Sequence, residues 1–230
     1  MADLNADAVR ANLAAVGARI DAAARRAGRE PGAVEILAAV KYLAPDDMGT
    51  LARAGVTLVG ENRAQDLLAK IARSPSELHW HFIGALQSRK VKQVVAHVEL
   101  IHSVASESVL RELGRHAAPD FRILVEVNVS GEPAKAGIAP GDLDSFIERA
   151  PVAVVGLMTM PPQTADPERS RPHFAALAAL ARDRGLATLS MGTSQDFEVA
   201  VEEGATIVRI GTILYGGPAA VEGRERSVES

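Results

Sequence analysis

Short apolar runs and amphipathic stretches alternate along this chain with a regular beat. Residues 36–40 (ILAAV) are apolar, closed by Lys41 and then broken by Ala44-Pro45-Asp46-Asp47. A short apolar run bounded by turn chemistry marks a strand buried on both faces. Seven further runs of this kind lie at 56–60, 79–86, 99–104, 121–129, 152–158, 187–192 and 206–211. Between them the pattern predicts helices: a short one from Pro45, then 61–73, 87–97, 106–116, 142–150, 167–184 and 194–203. A longer helix to about Arg26 precedes the first strand, capped by Asn5 or Asp7, with Leu13, Val16 and Ile20 at helical spacing and Gly28 as its stop. No Asn-Gly or Asp-Gly hairpin turn joins the strands. Strict strand–helix alternation predicts right-handed parallel crossovers, and eight units predict an α/β fold: a single (β/α)8 TIM barrel with an extra N-terminal helix. An open doubly wound sheet is the runner-up, disfavoured because no GxGxxG follows the first strand.

Composition narrows the classes. With 230 residues, 47% hydrophobic and 23% charged, the chain reads as one ordinary globular domain. We expect the barrel over 1–217 and a polar C-terminal tail over 218–230. The absence of cysteine fits a reducing compartment, and the cytoplasm is expected. The N-terminus carries Asp3 and Asp7 and reads as a helix, not a signal peptide. No run approaches the roughly 20 apolar residues of a membrane span. A net charge of −4 and 3% aromatic residues argue against nucleic-acid binding.

Candidate chemistry follows from the barrel reading, which puts a site at the C-terminal ends of the strands. Lys41 closes the first strand in a chain with five lysines among 25 basic residues. A partly desolvated lysine there can attack a carbonyl as the neutral amine; the bland alternative is a lysine snorkelling to water. Ser194, read as opening a helix after the seventh strand, and Gly211-Thr212 after the eighth form a candidate anion cradle; N-capping and plain turn chemistry are the alternatives. Arg209 lies two residues before Gly211 on the same strand face, so it either pairs, with Glu126 or Glu61, or serves a site. His79 and His81 share a face but lack the carboxylate or cysteine spacing of a metal site. Ser194 lacks GxSxG and triad partners. Arg89, Lys90 and Lys92 form a basic cluster that reads as a solvated face or a place for an anion or partner.

With these residues assembled, the chain resembles the pyridoxal-phosphate homeostasis protein family, whose fold is similar to the barrel domain of bacterial alanine racemase. The likeness spans residues 4–216 and rests on ordered motifs: ILAAVKY, VGENRAQDLLAK, HFIGALQSRKVK, HSVAS, VNVSGEPAKAG, GLMTMPP and SMGTSQDFEVAVEEGATIVRIG. The resemblance implies that Lys41 carries pyridoxal 5'-phosphate (PLP) as an internal aldimine. It also implies that Ser194, Gly211 and Thr212 hold the phosphate, that Arg209 faces the pyridine nitrogen, and that Asn62 and Met158 line the cofactor. The chain departs from the family's usual pattern at Val40, Arg89, Ala105 and Thr193, which puts loop details in question but touches none of the inferred ligands.

The resemblance further implies a PLP-binding protein of vitamin B6 homeostasis without turnover of its own. A guanidinium only donates hydrogen bonds, so Arg209 at the ring nitrogen leaves that nitrogen unprotonated and weakens the electron sink. Apo PLP-dependent enzymes are the partners it suggests, and a monomer is expected. Two alternatives stand beside this reading: a PLP-dependent racemase-like enzyme, which needs a second acid–base group, and a Schiff-base aldolase without cofactor.

Overall fold

The computed structural model describes residues 4–216, so the polar tail expected over 218–230 lies outside the described residues. Eight parallel strands close into a barrel in chain order: β1 Glu35–Ala39, β2 Leu58–Glu61, β3 His79–Phe82, β4 Leu100–Val104, β5 Arg122–Glu126, β6 Ala153–Met158, β7 Thr188–Thr193 and β8 Ile207–Ile210. Closure is made by β1 against β8, with Glu35 opposite Ile207, Leu37 opposite Arg209 and Ala38 opposite Ile210. The helices are α1 Ala6–Arg26, α2 Met48–Arg53, α3 Ala64–Ile71, α4 Val91–Val95, α5 Glu107–His116, α6 Leu143–Glu148, α7 Arg171–Arg182 and α8 Phe197–Glu202. This is the (β/α)8 barrel with an added N-terminal helix.

Asn5, not Asp7, caps α1: its Oδ1 accepts from the N–H groups of Asp7 (2.9 Å) and Ala8 (3.0 Å), satisfying two of the helix's free donors. The helix buries Val9, Val16, Ile20, Ala23 and Ala24. Its basic residues reach α8, with Arg19 on Glu198 and Arg26 on Glu202. Most of the core lies between strands and helices, as barrel architecture requires. A second, separate cluster fills the barrel itself: Leu37, Leu58, Leu100, Leu124, Met158 and Ile207 point inward from six strands. Among the described residues, no helix is long and apolar enough to cross a membrane.

Most elements are shorter than their hydrophobic patterns suggest, by one or two residues at most strand starts and by three or four at the ends of β3 and β5. β3 stops at Phe82, with one more bond to β2 from Ile83 N to the Glu61 carbonyl (2.9 Å), and just beyond it the Gly84 carbonyl accepts from Ser103 Oγ. β5 stops at Glu126; Asn128 then builds a turn, its Oδ1 accepting from Ser130 Oγ (2.9 Å) and Gly131 N (3.1 Å). Several predicted helices open as a 3₁₀ turn, at Pro45–Asp47, Ser88–Lys90, Pro140–Asp142 and Pro167–Ser170. The helix placed at 194–203 begins only at Phe197, because Thr193 N (2.8 Å) and Thr193 Oγ1 (3.0 Å) both donate to Asp196 Oδ1 and close a turn first.

Candidate functional site

The ends of β7, β8 and β1 meet at one side of the barrel mouth. Gly211, just past β8, lies against β1: a Cβ there would sit 3.4 Å from the Ala39 carbonyl oxygen. Its N–H donates to Ser194 Oγ at 3.2 Å, which joins the turn after β8 to the turn after β7. Thr212 opens a short 3₁₀ turn at Thr212–Leu214. Lys41 stands two residues beyond the end of β1, so the register places it beside this pair of turns. Gly192 makes the β7 turn possible: its φ is +89°, and a Cβ would approach Ala200 Cβ to 2.6 Å and Phe197 Cα to 3.0 Å.

Two expectations are corrected at this mouth. Lys41 is exposed, with its Nζ 4.4 Å from the centroid of the Tyr42 ring, and is not desolvated at a hydrophobic strand edge. The reason is local: β1 ends at Ala39, and Leu43 N donates to the Val40 carbonyl (2.9 Å), so the chain curls and lifts Lys41 out of the ladder. Ser194 does not begin a helix. It sits in the turn before α8, so the helix-dipole argument for an anion there does not apply; what the turn offers is a hydroxyl beside backbone N–H groups.

Arg209 is buried and takes neither partner anticipated for it. Its Nη1 donates to the Ser190 carbonyl (2.7 Å) and Ser190 Oγ (2.5 Å), and its Nη2 to the Thr159 carbonyl (2.9 Å) and Met160 Sδ (2.8 Å). A guanidinium has five N–H donors. These contacts use the four on Nη1 and Nη2, leaving Nε–H as the donor a ligand can take. Burial pulls the pKa of Arg209 down to about 10, while the fields of Glu126 and Asp196 oppose that shift. Glu126, also buried inside the barrel, has its own pKa raised by burial, with Arg209 pulling it back down. Glu61 pairs elsewhere, with Lys70.

Behind Arg209 runs a polar chain through the barrel interior. Ser190 Oγ lies 2.8 Å from His102 Nδ1, and His102 Nε2 lies 3.0 Å from His81 Nδ1. Because Arg209 can only donate, Ser190 Oγ accepts from it and keeps its own hydrogen for His102 Nδ1. His102 is then neutral with its hydrogen on Nε2, which donates to His81. Burial favours the same state, pulling His81 down to about 4 and His102 well below the usual histidine range. His79 and His81 do share a face of β3, but His79 is exposed and paired with Glu99 (2.6 Å), while His81 belongs to the interior chain.

Asn62 lies past the end of β2, next to β1, and is half-buried. Met158 is buried in the interior apolar cluster; it meets the others through its neighbour Thr159, whose carbonyl accepts from Arg209. Lys41, Ser194, Gly211, Thr212 and Arg209 therefore share the β7–β8–β1 side, with Asn62 flanking it and Met158 lower in the barrel. In the basic cluster, Arg89 donates to Gln87 (3.0 Å) and Lys90 to Gln93 (3.4 Å). Sequence reasoning missed His102 and Ser190. The signal was present: each is a polar residue in the middle of a strand read as buried on both faces, and such a group needs a buried partner.

The fold and site define a barrel of the alanine racemase N-terminal domain class, and that family matches residues 7–218. The pyridoxal phosphate homeostasis protein of Aquifex aeolicus (strain VF5) is 42% identical over 219 residues, covering 89% of this chain and 96% of that one. PipY of Synechococcus elongatus PCC7942, whose structure has PLP bound, is 31% identical with a TM-score of 0.75, covering 90% of this chain and 100% of that one. The chain belongs to the pyridoxal phosphate homeostasis protein family. Alanine racemase from Corynebacterium glutamicum shares the fold, at a TM-score of 0.70 and 16% identity, with 94% of this chain matched to 63% of that longer one.

Proposed function

We propose that this protein binds PLP at the barrel mouth, with Lys41 as the residue that carries it. The observation behind this reading is the continuity of Ser194, Gly211 and Ala39, which brings a hydroxyl and glycine-rich turns up to the strand that delivers Lys41. The donor set fits a phosphorylated aldehyde with a ring nitrogen. A primary amine suits the carbonyl, the Ser194 hydroxyl with the Gly211-Thr212 backbone suits the phosphate, and Arg209 Nε–H suits a ring acceptor. Asn62 and Met158 complete the lining. PLP supplies an electron sink to whatever amine it holds.

The residues of this chain do little to strengthen that sink. Arg209 donates hydrogen bonds but, with a pKa of about 10, keeps its proton at neutral pH, and its four Nη hydrogens are fixed on Ser190, Thr159 and Met160. It orients the ring and leaves the ring nitrogen unprotonated. We therefore read the protein as a non-catalytic holder of PLP in cytoplasmic vitamin B6 homeostasis, and apo PLP-dependent enzymes as its recipients. A monomer fits the surface: among the described residues, Met160, at 46% exposure, is the one large hydrophobic side chain that is exposed. Titration of the purified protein with PLP tests binding, and α-proton exchange of amino acids in D₂O tests turnover. No visible band on titration contradicts the first part, and exchange above that of free PLP contradicts the second.

A further inference from the structure

Two buried charges lie just behind the mouth. Glu61 ends β2 at 0% exposure, and Lys70 sits on the inner face of α3 at 2%. Lys70 Nζ donates to Glu61 Oε2 and, at 2.7 Å, to the Val40 carbonyl. The other carboxylate oxygen, Glu61 Oε1, accepts from Asn62 N (2.6 Å) and Arg63 N (3.1 Å). The two strand ends are also tied directly, with Val40 N donating to the Gly60 carbonyl at 3.0 Å. The pair thus reaches the carbonyl of the peptide entering Lys41, through Lys70, and the N–H groups of the peptides on either side of Asn62, through Glu61.

A buried ion pair is a weak source of net stability, because desolvation offsets most of its attraction. Its bonds are nevertheless strong and directional, so what it supplies is placement. We propose that the Lys70–Glu61 pair is a positioning device for the site: it fixes the backbone from which Lys41 and Asn62 project, so that the Lys41 amine meets the carbonyl of its ligand at a set distance and angle. Lys70 and Glu61 act through the backbone. The inference rests on the reading that Lys41 carries PLP.

The test separates amine placement from general integrity by comparing PLP with pyridoxamine 5'-phosphate, which has the same ring and phosphate but no aldehyde. In the double variant Glu61→Gln with Lys70→Met, the Gln oxygen still accepts from Asn62 and Arg63, while the donor to Val40 is lost. The variant is expected to keep a cooperative urea transition and to bind pyridoxamine 5'-phosphate within about twofold of the parent, but to lose about 10- to 100-fold in PLP affinity, since a displacement on the order of 1 Å is felt at that level. Lys70→Arg keeps the charge and should lose less. Equal losses for the two ligands, or no loss for either, overturn the proposal. So does failure of both variants to unfold cooperatively, which would make the pair a folding element. If the parent protein itself shows no borohydride-fixed PLP on Lys41, the binding reading fails and the inference falls with it; normal fixation in the parent with unchanged variants sinks the inference alone.

Discussion

The neutral histidines inside the barrel make stability fall with acidity, by an amount that can be worked out. His81 is pulled down to about 4 by burial, and His102, fully enclosed beside it, well below the ordinary range. In the unfolded chain both return to about 6.5. Between about pH 6.5 and 4 the unfolded chain therefore binds protons that the native one refuses, so stability is complete above this window and drains as pH falls through it. Below the unfolded pKa His81 contributes a limiting slope of about 1.4 kcal/mol per pH unit, so going from pH 7 to 5 costs about 2 kcal/mol for His81, and His102 adds a loss of the same sign. Glu126 works the other way: its raised pKa lets the native chain take up a proton before the unfolded one does. His81→Asn isolates the effect, because Asn Oδ1 can replace His81 Nδ1 as acceptor for His102 while removing one titrating ring. Urea unfolding followed by circular dichroism at about pH 7, 6 and 5 should show the variant losing about 2 kcal/mol less than the parent between pH 7 and 5, most of it below about pH 6. Parallel slopes for parent and variant would refute a neutral, buried His81.

Other outcomes follow from the same geometry. Ser190→Ala removes the hydroxyl between Arg209 and His102, leaving buried donor and acceptor without their partner; urea unfolding should show a loss of about 2–4 kcal/mol, and a loss under about 0.5 would contradict the relay. Gly192→Ala forces a Cβ into Ala200 at φ +89° and should cost about 2–4 kcal/mol in the same assay while weakening phosphate-dependent ligand binding.

The barrel was legible because strand and helix periods differ and each apolar run is closed by its own turn residues. Lys41, Gly211 and Thr212 could be placed for the same reason: a residue just past a barrel strand has one place to go. Strand ends were less legible, since side-chain bonds such as Ser103 to Gly84 and Thr193 to Asp196 take over from the ladder there. At Thr193 it is the side-chain hydroxyl that helps close the turn and delay α8. Least legible were the buried polar links. Lys70 reaches across 30 residues to Val40, and His102 across 88 to Ser190. A polar residue in the middle of a buried strand signals that a partner exists, but the pairing depends on barrel closure, which no local window contains. Arg209 shows the limit: its burial could be reasoned from TIVRIG, but its partners were carbonyls, a hydroxyl and a thioether, not the carboxylates that charge alone suggests.

The most direct test of the central claim is to mix the purified protein with PLP, record its absorbance spectrum, reduce with borohydride and map the modified peptide. The account predicts a visible band that reduction abolishes, with the PLP mass on the peptide containing Lys41 and no band in Lys41→Ala. Modification at another lysine with Lys41 untouched, or the same band in Lys41→Ala, would contradict it.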